Sequence, residues 1–352
     1  MNRILTTTLI IRFSSVGDII LTSPLIRTLR ARFPQSRIDF LVKEEYADLV
    51  RHNPHLSRTL VFPAGGTSAD LRRFRSTIQA ARYDLILDMH DSIRSRVLCC
   101  GRTPVLRYRK RRLARFALIH SKLDLYTWSG GAPPIASRYL EPVRSLGVED
   151  DGRGAEVFIP DEAHRVAENV LDSAGIPHAS RLLGLCPSAR HATKMWLPER
   201  FAGAAATLAS TYALPVVLFG SAAERERCAS IAAQIRTLAP DTQVCNCAGA
   251  FSLLETAAAM DRCAAVITND TGLMHLASAR KRPVVALFGP TVRQFGFFPG
   301  GTESRVVEHP ALPCRPCTAI GRSTCPRGHF RCMQDIPESH VVAAAHELLD
   351  RT

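Results

Sequence analysis

The feature that most limits how this chain can fold is the alternation of short apolar runs with helix-compatible stretches along its length. Strand candidates at 5–13, 38–42, 59–62 and 83–89 are separated by helix candidates at 19–33, 46–51 and 69–81. A helix at 92–100, a strand at 105–108 and a helix at 139–146 follow. A second series has strands at 182–186, 216–219, 244–246, 264–268 and 284–288. Helices at 198–212, 222–238, 253–260 and 271–280 fall between them, and one at 337–349 closes the chain. Such alternation builds an α/β fold with a doubly wound parallel sheet. At roughly 100–200 residues per domain, 352 residues suit two such domains. The polar, Gly-containing stretch 149–154 is the linker candidate, dividing a domain at 1–154 from one at 155–352.

In open sheets of this kind, ligands bind outside the carboxyl ends of the strands. Two strand-to-helix turns are equipped for that, and the two domains can bring them to face each other across a central cleft. The first is Ser14-Ser15-Val16-Gly17-Asp18. Asp18 can cap the helix that follows, or act as a general base for an acceptor hydroxyl. The second is Asn269-Asp270-Thr271-Gly272, after the strand at 264–268. A helix start there points backbone N–H groups at an anion, and Gly272 removes a side chain where a phosphate can approach. Asp270 or Thr271 can cap that helix. His275, one turn on, suits either the same ligand or the core.

Three further positions carry polar chemistry after strands. Ser188, with Lys194 and Trp196, follows the strand at 182–186. Lys194 can neutralise a diphosphate or simply be a solvated loop lysine. Glu224 follows Phe219-Gly220-Ser221, where it can be a helix N-terminal acid or accept a ribose hydroxyl. No GxGxxG follows the first strand, where Ser15-Val16-Gly17 is only a fragment of it, and no P-loop occurs.

Eleven cysteines in a chain of this size do not read as a secreted disulfide framework. Seven are scattered and suit small buried hydrophobes. Cys314, Cys317, Cys325 and Cys332 are clustered, with His329 among them. They can hold a structural zinc, or stay as free thiols or a labile disulfide. No apolar run reaches the ~18–20 residues of a membrane span. The N-terminus runs into a strand pattern without a leader's cleavage site, so a cytoplasmic protein is expected. The net charge is +13, and residues 92–123 hold ten Lys/Arg and no Asp or Glu. That stretch implies a local anionic partner. Nucleic acid is set aside, because interleaved aromatics and helix-turn-helix or zinc-finger spacing are lacking.

These motifs together resemble a known family. Phe13-Ser14-Ser15-Val16-Gly17-Asp18, with the Leu21–Pro24 helix start, resembles the N-terminal signature of the family 9 glycosyltransferases, the ADP-heptose:lipopolysaccharide heptosyltransferases. Asn269-Asp270-Thr271-Gly272-Leu273-Met274-His275-Leu276 resembles their donor-site signature. Lys194-Met195-Trp196-Leu197-Pro198, Gly220-Ser221 with Glu224, and Phe288-Gly289-Pro290-Thr291 sit where that family has matching segments. The cysteine cluster is similar to one seen in members resembling heptosyltransferase II.

The resemblance implies a GT-B fold, two Rossmann-like doubly wound parallel-sheet domains facing a central cleft. It implies inverting transfer of a heptose from ADP-heptose to the acidic lipopolysaccharide inner core, with no cofactor required for catalysis. Carried over by position, Asp18 is the base. Ser188, Lys194, Glu224, Asp270, Thr271, Gly272 and His275 bind the donor. Arg72, Arg73, Arg75, Arg109 and Arg112 are expected at the acidic acceptor and the anionic membrane surface, which adds peripheral contact with the inner membrane to the cytoplasmic expectation. The rival readings are a same-fold transferase using another nucleotide sugar and an inactive nucleotide-binding relative. Retention of Asp18 and Lys194 argues against inactivity.

Overall fold

The computed structural model describes residues 5–128 and 131–351. The leader reading of the N-terminus falls in part on residues 1–4, outside the described residues. The chain divides into two compact units, Met1–Arg111 with Pro133–Phe158, and Arg112–Ala132 with Ile159–Thr352.

In the first unit, β1 (Thr7–Ile11), β2 (Arg37–Lys43), β3 (Arg58–Phe62), β4 (Leu85–Asp88) and β5 (Val105–Arg107) form a parallel sheet in the order β3-β2-β1-β4-β5. Helices cover both faces of a parallel sheet, so its strands read as continuous apolar runs rather than alternating ones. Leu9, Ile10 and Ile11 on β1 are accordingly all buried, and Leu9, Ile11, Phe13, Leu41, Phe62 and Ile86 pack together on one face. The strand order reverses between β1 and β4. That reversal opens a crevice at their carboxyl ends, where Ser14–Asp18 and Met89–His90 lie.

The second unit repeats the plan with β6 (Leu182–Cys186), β7 (Val216–Leu218), β8 (Val244–Asn246), β9 (Cys263–Asn269), β10 (Val284–Phe288) and β11 (Ser304–Glu308). All are parallel, in the order β11-β10-β9-β6-β7-β8. Every residue of β9 is buried. Here the order reverses between β6 and β9, so the segments carrying Ser188 and Asp270 leave the sheet side by side. A core of Leu183, Leu185, Trp196, Phe201, Ile231 and Leu287 packs beneath.

Several elements depart from the sequence reading for identifiable reasons. The helix expected at 19–33 is two helices, Val16–Ile20 and Ser23–Arg32. Pro24 has no N–H for the carbonyl of Ile20, and the Ser23 hydroxyl donates to that carbonyl instead (2.7 Å). The expected helix at 139–146 is an α-helix, Ile135–Leu140, followed by a 3-10 segment, Glu141–Leu146. The start of 222–238 is likewise 3-10, Ala222–Glu224. β11 has no counterpart in the sequence reading. The helix Arg112–His120 belongs with the second unit, because Leu118 and Tyr126 pack on Phe295. Lys122 Nζ ties the same segment down by donating to the carbonyls of Cys314 (3.0 Å) and Pro316 (2.6 Å).

Candidate functional site

The first cluster forms at the β1/β4 crevice of the first unit. Asp18 is the third residue of the short Val16–Ile20 helix, and its Oδ2 accepts from the backbone N–H (3.3 Å) and hydroxyl (3.0 Å) of Ser15. That is the capping geometry, and it uses one carboxylate oxygen. The other, Oδ1, is 2.7 Å from an Arg12 guanidinium nitrogen and accepts from the Tyr139 hydroxyl (3.1 Å). Arg12 is itself locked by donating to the carbonyls of Ser14 (2.8 Å) and Met89, and its guanidinium lies 5.5 Å from the centre of the Tyr139 ring. Burial alone pushes the Asp18 carboxyl up. The Arg12 charge and the bonds from Ser15 and Tyr139 outweigh it and hold the carboxyl below its ordinary value. Asp18 is therefore ionised, fixed in place and 18 % exposed at its side chain.

His90 completes this cluster. Its ring stands edge-on to Phe13 at 5.4 Å, and its Nδ1 is buried without a partner. Burial, then the Arg12 and Lys110 charges, push it down to about 4, so the ring is neutral near pH 7. The sequence reading assigned no site role to Arg12, Tyr139 or His90. Arg12 carries a local signal, since a charged residue interrupts the buried run Leu9-Ile10-Ile11-Arg12-Phe13. Tyr139, arriving from 121 residues away, carries none.

The second cluster forms at the β6/β9 crevice of the second unit. Asp270, buried, places Oδ2 at 2.6 Å from Lys194 Nζ and accepts there from the Thr291 hydroxyl (2.7 Å). Lys194 has three donors, so pairing with Asp270 leaves it capacity for an anion. Thr271 is the N-cap of the Gly272–Ala279 helix but makes no side-chain cap bond. The expected Asp270 cap is not what its carboxylate does either. The first-turn N–H groups of a helix lack intrahelical partners. The hydroxyl oxygens of Thr271 and Ser188 are buried and unpartnered, an arrangement that proteins seldom leave unfilled. Asn269 Oδ1 accepts from the Trp196 N–H (3.0 Å), which pins the Lys194 segment to the end of β9.

His275 is buried inside the same helix, edge-on to Phe297 at 6.2 Å. Glu224 accepts through Oε2 from the N–H (2.6 Å) and hydroxyl (3.0 Å) of Ser221, a reciprocal cap that leaves Oε1 for other contacts. Gly220 leaves room beside it, since a Cβ there would meet Glu224 Oε2 at 3.0 Å and the carboxylate would have to shift.

The expected acceptor arginines lie apart from Asp18 in the chain and mostly at the surface. Arg72, Arg73 and Arg75 are exposed on the Ser68–Ala80 helix, and Arg73 pairs with Asp70 (3.0 Å). Arg109 is exposed in the first unit, and Arg112 is exposed at the start of the Arg112–His120 helix in the second. The basic stretch is less unopposed in space than in sequence. Arg96 meets Asp91 (2.7 Å), Arg107 meets Asp88 (3.4 Å) and Arg111 meets Glu141 (3.2 Å). A cavity of about 590 Å³ lined by Ile78, Tyr83, Asp84 and Leu98 opens at the opposite, amino end of β4 and touches neither cluster.

Cys314, Cys317, Cys325 and Cys332 are free thiols. Cys314 Sγ lies 3.7 Å from His329 Nε2, and Cys332 is buried in the core of the second unit. Among the described residues, no group of three or more His, Cys, Asp or Glu side chains is placed to hold a metal. The loop does serve the second cluster. Arg315 donates to the carbonyls of Gly289 (2.6 Å) and Thr291 (3.0 Å), and Arg322 and Thr193 bond reciprocally (2.8 and 3.1 Å). No helix among the described residues is long and apolar enough to cross a membrane.

Against known proteins, the sequence profile of glycosyltransferase family 9 (heptosyltransferase) matches residues 71–325. The chain is 27% identical to lipopolysaccharide heptosyltransferase 2 of Salmonella typhimurium, over 97% of its own length and 98% of that protein's. The crystal structure of a family 9 glycosyl transferase from Veillonella parvula superposes with a TM-score of 0.82 at 23% identity, covering 100% of this chain and 99% of that one. The structure of E. coli ADP-heptose lps heptosyltransferase II gives 0.72 at 23% identity, covering 98% and 99%.

Proposed function

The chain belongs to glycosyltransferase family 9, the heptosyltransferases, and from that membership we propose that it moves a heptose from ADP-heptose to the lipopolysaccharide inner core, with inversion and without a catalytic metal. It is a glycosyltransferase of GT-B fold, built from two Rossmann-like parallel-sheet domains. Lipopolysaccharide heptose transfer is the activity of relatives matched over nearly the whole chain.

The observation that carries the finer reading is the state of Asp18. It is an ionised carboxylate with both oxygens oriented by donors, at the carboxyl end of the central strand. A sugar hydroxyl is a poor nucleophile while protonated. Asp18 takes its proton as the oxygen attacks the anomeric carbon from the face opposite the departing ADP. Arg12 keeps the carboxylate charged and Tyr139 holds its direction.

In the second unit, Lys194 and the amino end of the Gly272–Ala279 helix meet the diphosphate, with the Ser188 and Thr271 hydroxyls supplying donors that now lack partners. They oppose the charge that develops on the leaving ADP, which is the service a metal ion gives in other transferases. Asp270 orients Lys194, and Glu224 takes a ribose hydroxyl through Oε1. His275 supports the turn from within the helix. Arg72, Arg73, Arg75 and Arg109 in the first unit, and Arg112 in the second, meet acidic groups of the acceptor and the anionic membrane surface. Exposed Leu113 and Phe116 on the Arg112–His120 helix suit a lipid interface.

The test is incubation with ADP-heptose and a truncated inner-core acceptor. An acceptor one heptose heavier, released ADP, and an inverted anomeric configuration by NMR are expected, with full rate in the presence of EDTA. Transfer from a different nucleotide sugar but not from ADP-heptose would overturn the donor assignment.

A further inference from the structure

Cys245 and Cys247 are not part of the cysteine cluster at the chain's end, and the proposed chemistry uses neither. They flank Asn246 at the carboxyl end of β8, the edge strand of the second sheet, and their sulfur atoms are 3.3 Å apart. The two thiols differ in access, Cys245 being partly exposed and Cys247 buried. They also differ in chemistry. The hydrogen bond between them, then the Arg236 charge, lowers the Cys245 thiol, while the same bond, then burial, raises Cys247. An accessible, more acidic thiol beside a buried partner is the division between an attacking and a resolving cysteine.

The strand end that carries them is tied to the Glu224 turn. Gly249 N–H donates to the Gly220 carbonyl (2.9 Å), Cys247 N–H to the Leu218 carbonyl (3.0 Å) and the Asn246 amide to the Arg225 carbonyl (3.1 Å). Packing there is tight. A Cβ added at Gly249 would come within 2.6 Å of Ala222 Cα and 2.9 Å of its Cβ.

We propose that Cys245 and Cys247 are a vicinal dithiol that a low-molecular-weight disulfide oxidises reversibly, and that closing the bond displaces the Gly220–Glu224 turn. The Cys245 thiolate attacks one sulfur of the small disulfide and expels its first thiolate, leaving a mixed disulfide. The Cys247 thiolate then attacks the Cys245 sulfur and expels the second. The protein pair loses two electrons and two protons, and the small disulfide becomes two thiols. A disulfide needs its sulfurs at about 2.05 Å, so the strand end must contract and carry Asn246 and Ala248 with it. This consequence for the nucleotide rests on the ribose reading of Glu224 given above.

Peptide mapping of the full-length protein with oxidised glutathione as the probe tests the pair. Trypsin releases residues 237–262 as one peptide in which Cys245 and Cys247 are the only cysteines. The peptide is expected to lose two hydrogens and resist alkylation until dithiothreitol is added. Cys247→Ser is expected to trap a glutathione adduct on Cys245, and Cys245→Ser to leave the buried Cys247 unmodified. A dithiol that stays reduced while exposed Cys100 is glutathionylated overturns the proposal, as does a cross-link from Cys247 to Cys263. ADP titration reads the coupling, with several-fold weaker binding after oxidation, restored by dithiothreitol and absent in Cys245→Ser. A mapped disulfide with unchanged ADP affinity overturns the coupling. Failure of the reduced protein to bind ADP overturns the nucleotide reading instead, and the peptide map still decides the dithiol.

Discussion

Replacing Arg12 by glutamine removes the charge that keeps Asp18 ionised and leaves the burial that opposes ionisation. With charge centres roughly 4 Å apart and an effective dielectric constant of about 20, the lost attraction is about 4 kcal/mol. At about 1.4 kcal/mol per pKa unit that is an upper bound of about three units. Carboxylates beside arginines are typically lowered by about 1–3 units. In the unmodified protein the Asp18 carboxyl is depressed. Transfer should then hold its rate down to the acid side of the ordinary carboxylate range. The pair's contribution to stability is present above about pH 4, the unfolded-state value, and is lost as pH falls through the folded value. In Arg12→Gln the acid limb of kcat/KM should move up by about 1–3 units, so that activity falls at pH 5–6 and recovers toward pH 8. Breaking a buried pair also costs about 3–5 kcal/mol of stability, so circular dichroism must show the variant folded at assay temperature. Arg12→Lys, which keeps the charge, should retain most of the original limb. The assay is ADP release across pH 4.5–9 at subsaturating acceptor. A folded glutamine variant whose rate stays as flat as that of the unmodified protein from pH 8 down to pH 4.5 would refute the claim that Arg12 sets the protonation of Asp18.

Asp270→Ala frees Lys194 from its 2.6 Å partner and strands the Thr291 hydroxyl. Without that orientation Lys194 loses its charged hydrogen bond to the diphosphate, worth about 1.5–3 kcal/mol, so ADP affinity by isothermal titration should fall by about 10–100-fold; an unchanged value would remove Asp270 from the donor site. The double charge reversal Arg112→Glu with Arg115→Glu should weaken sedimentation with phosphatidylglycerol vesicles and raise the acceptor's KM. Both effects should fade with salt as screening shortens to about 8 Å, and ADP binding should stay unchanged; vesicle binding that survives at low salt would count against the basic helix. Metal analysis of freshly purified, reduced protein should find no stoichiometric zinc, since the four thiols of residues 314–332 are not placed around a common point; one zinc per chain would show that they gather.

The doubly wound plan was legible because parallel strands buried on both faces write themselves as short, continuous apolar runs. β9 and β1 are plain examples, and the ligand-facing turns follow from where such strands end. What was not legible depends on contacts distant in sequence. Tyr139 reaches Asp18, and Thr291 reaches Asp270, across separations that no local pattern encodes. The same holds for Leu118 and Tyr126, whose packing on Phe295 draws Arg112–Ala132 into the second unit. The helix break at Leu21–Thr22 was not read, since a proline in the first turns of a helix is tolerated and nothing local says that the Ser23 hydroxyl takes over the Ile20 carbonyl. Glu224 and Asp18 show another limit. For each, capping occupies one carboxylate oxygen; the other is oriented by Arg12 and Tyr139 in Asp18 and takes no part in the cap in Glu224, so the choice between cap and site was never exclusive.

The central claim is that Asp18 is the base, and the turnover number of Asp18→Asn at saturating ADP-heptose and acceptor tests it most directly. Asparagine keeps the size of the side chain and an oxygen that can accept from Ser15, but it leaves Arg12 without its charged partner, so circular dichroism must show the variant folded at assay temperature. Asparagine cannot take a proton. A positioned base contributes about 10²–10⁴-fold, so kcat should fall by that factor while the protein stays folded and binds ADP with unchanged affinity. A kcat close to that of the unmodified protein would contradict the account and leave Asp18 as the partner of Ser15 in the capping box of the Val16–Ile20 helix.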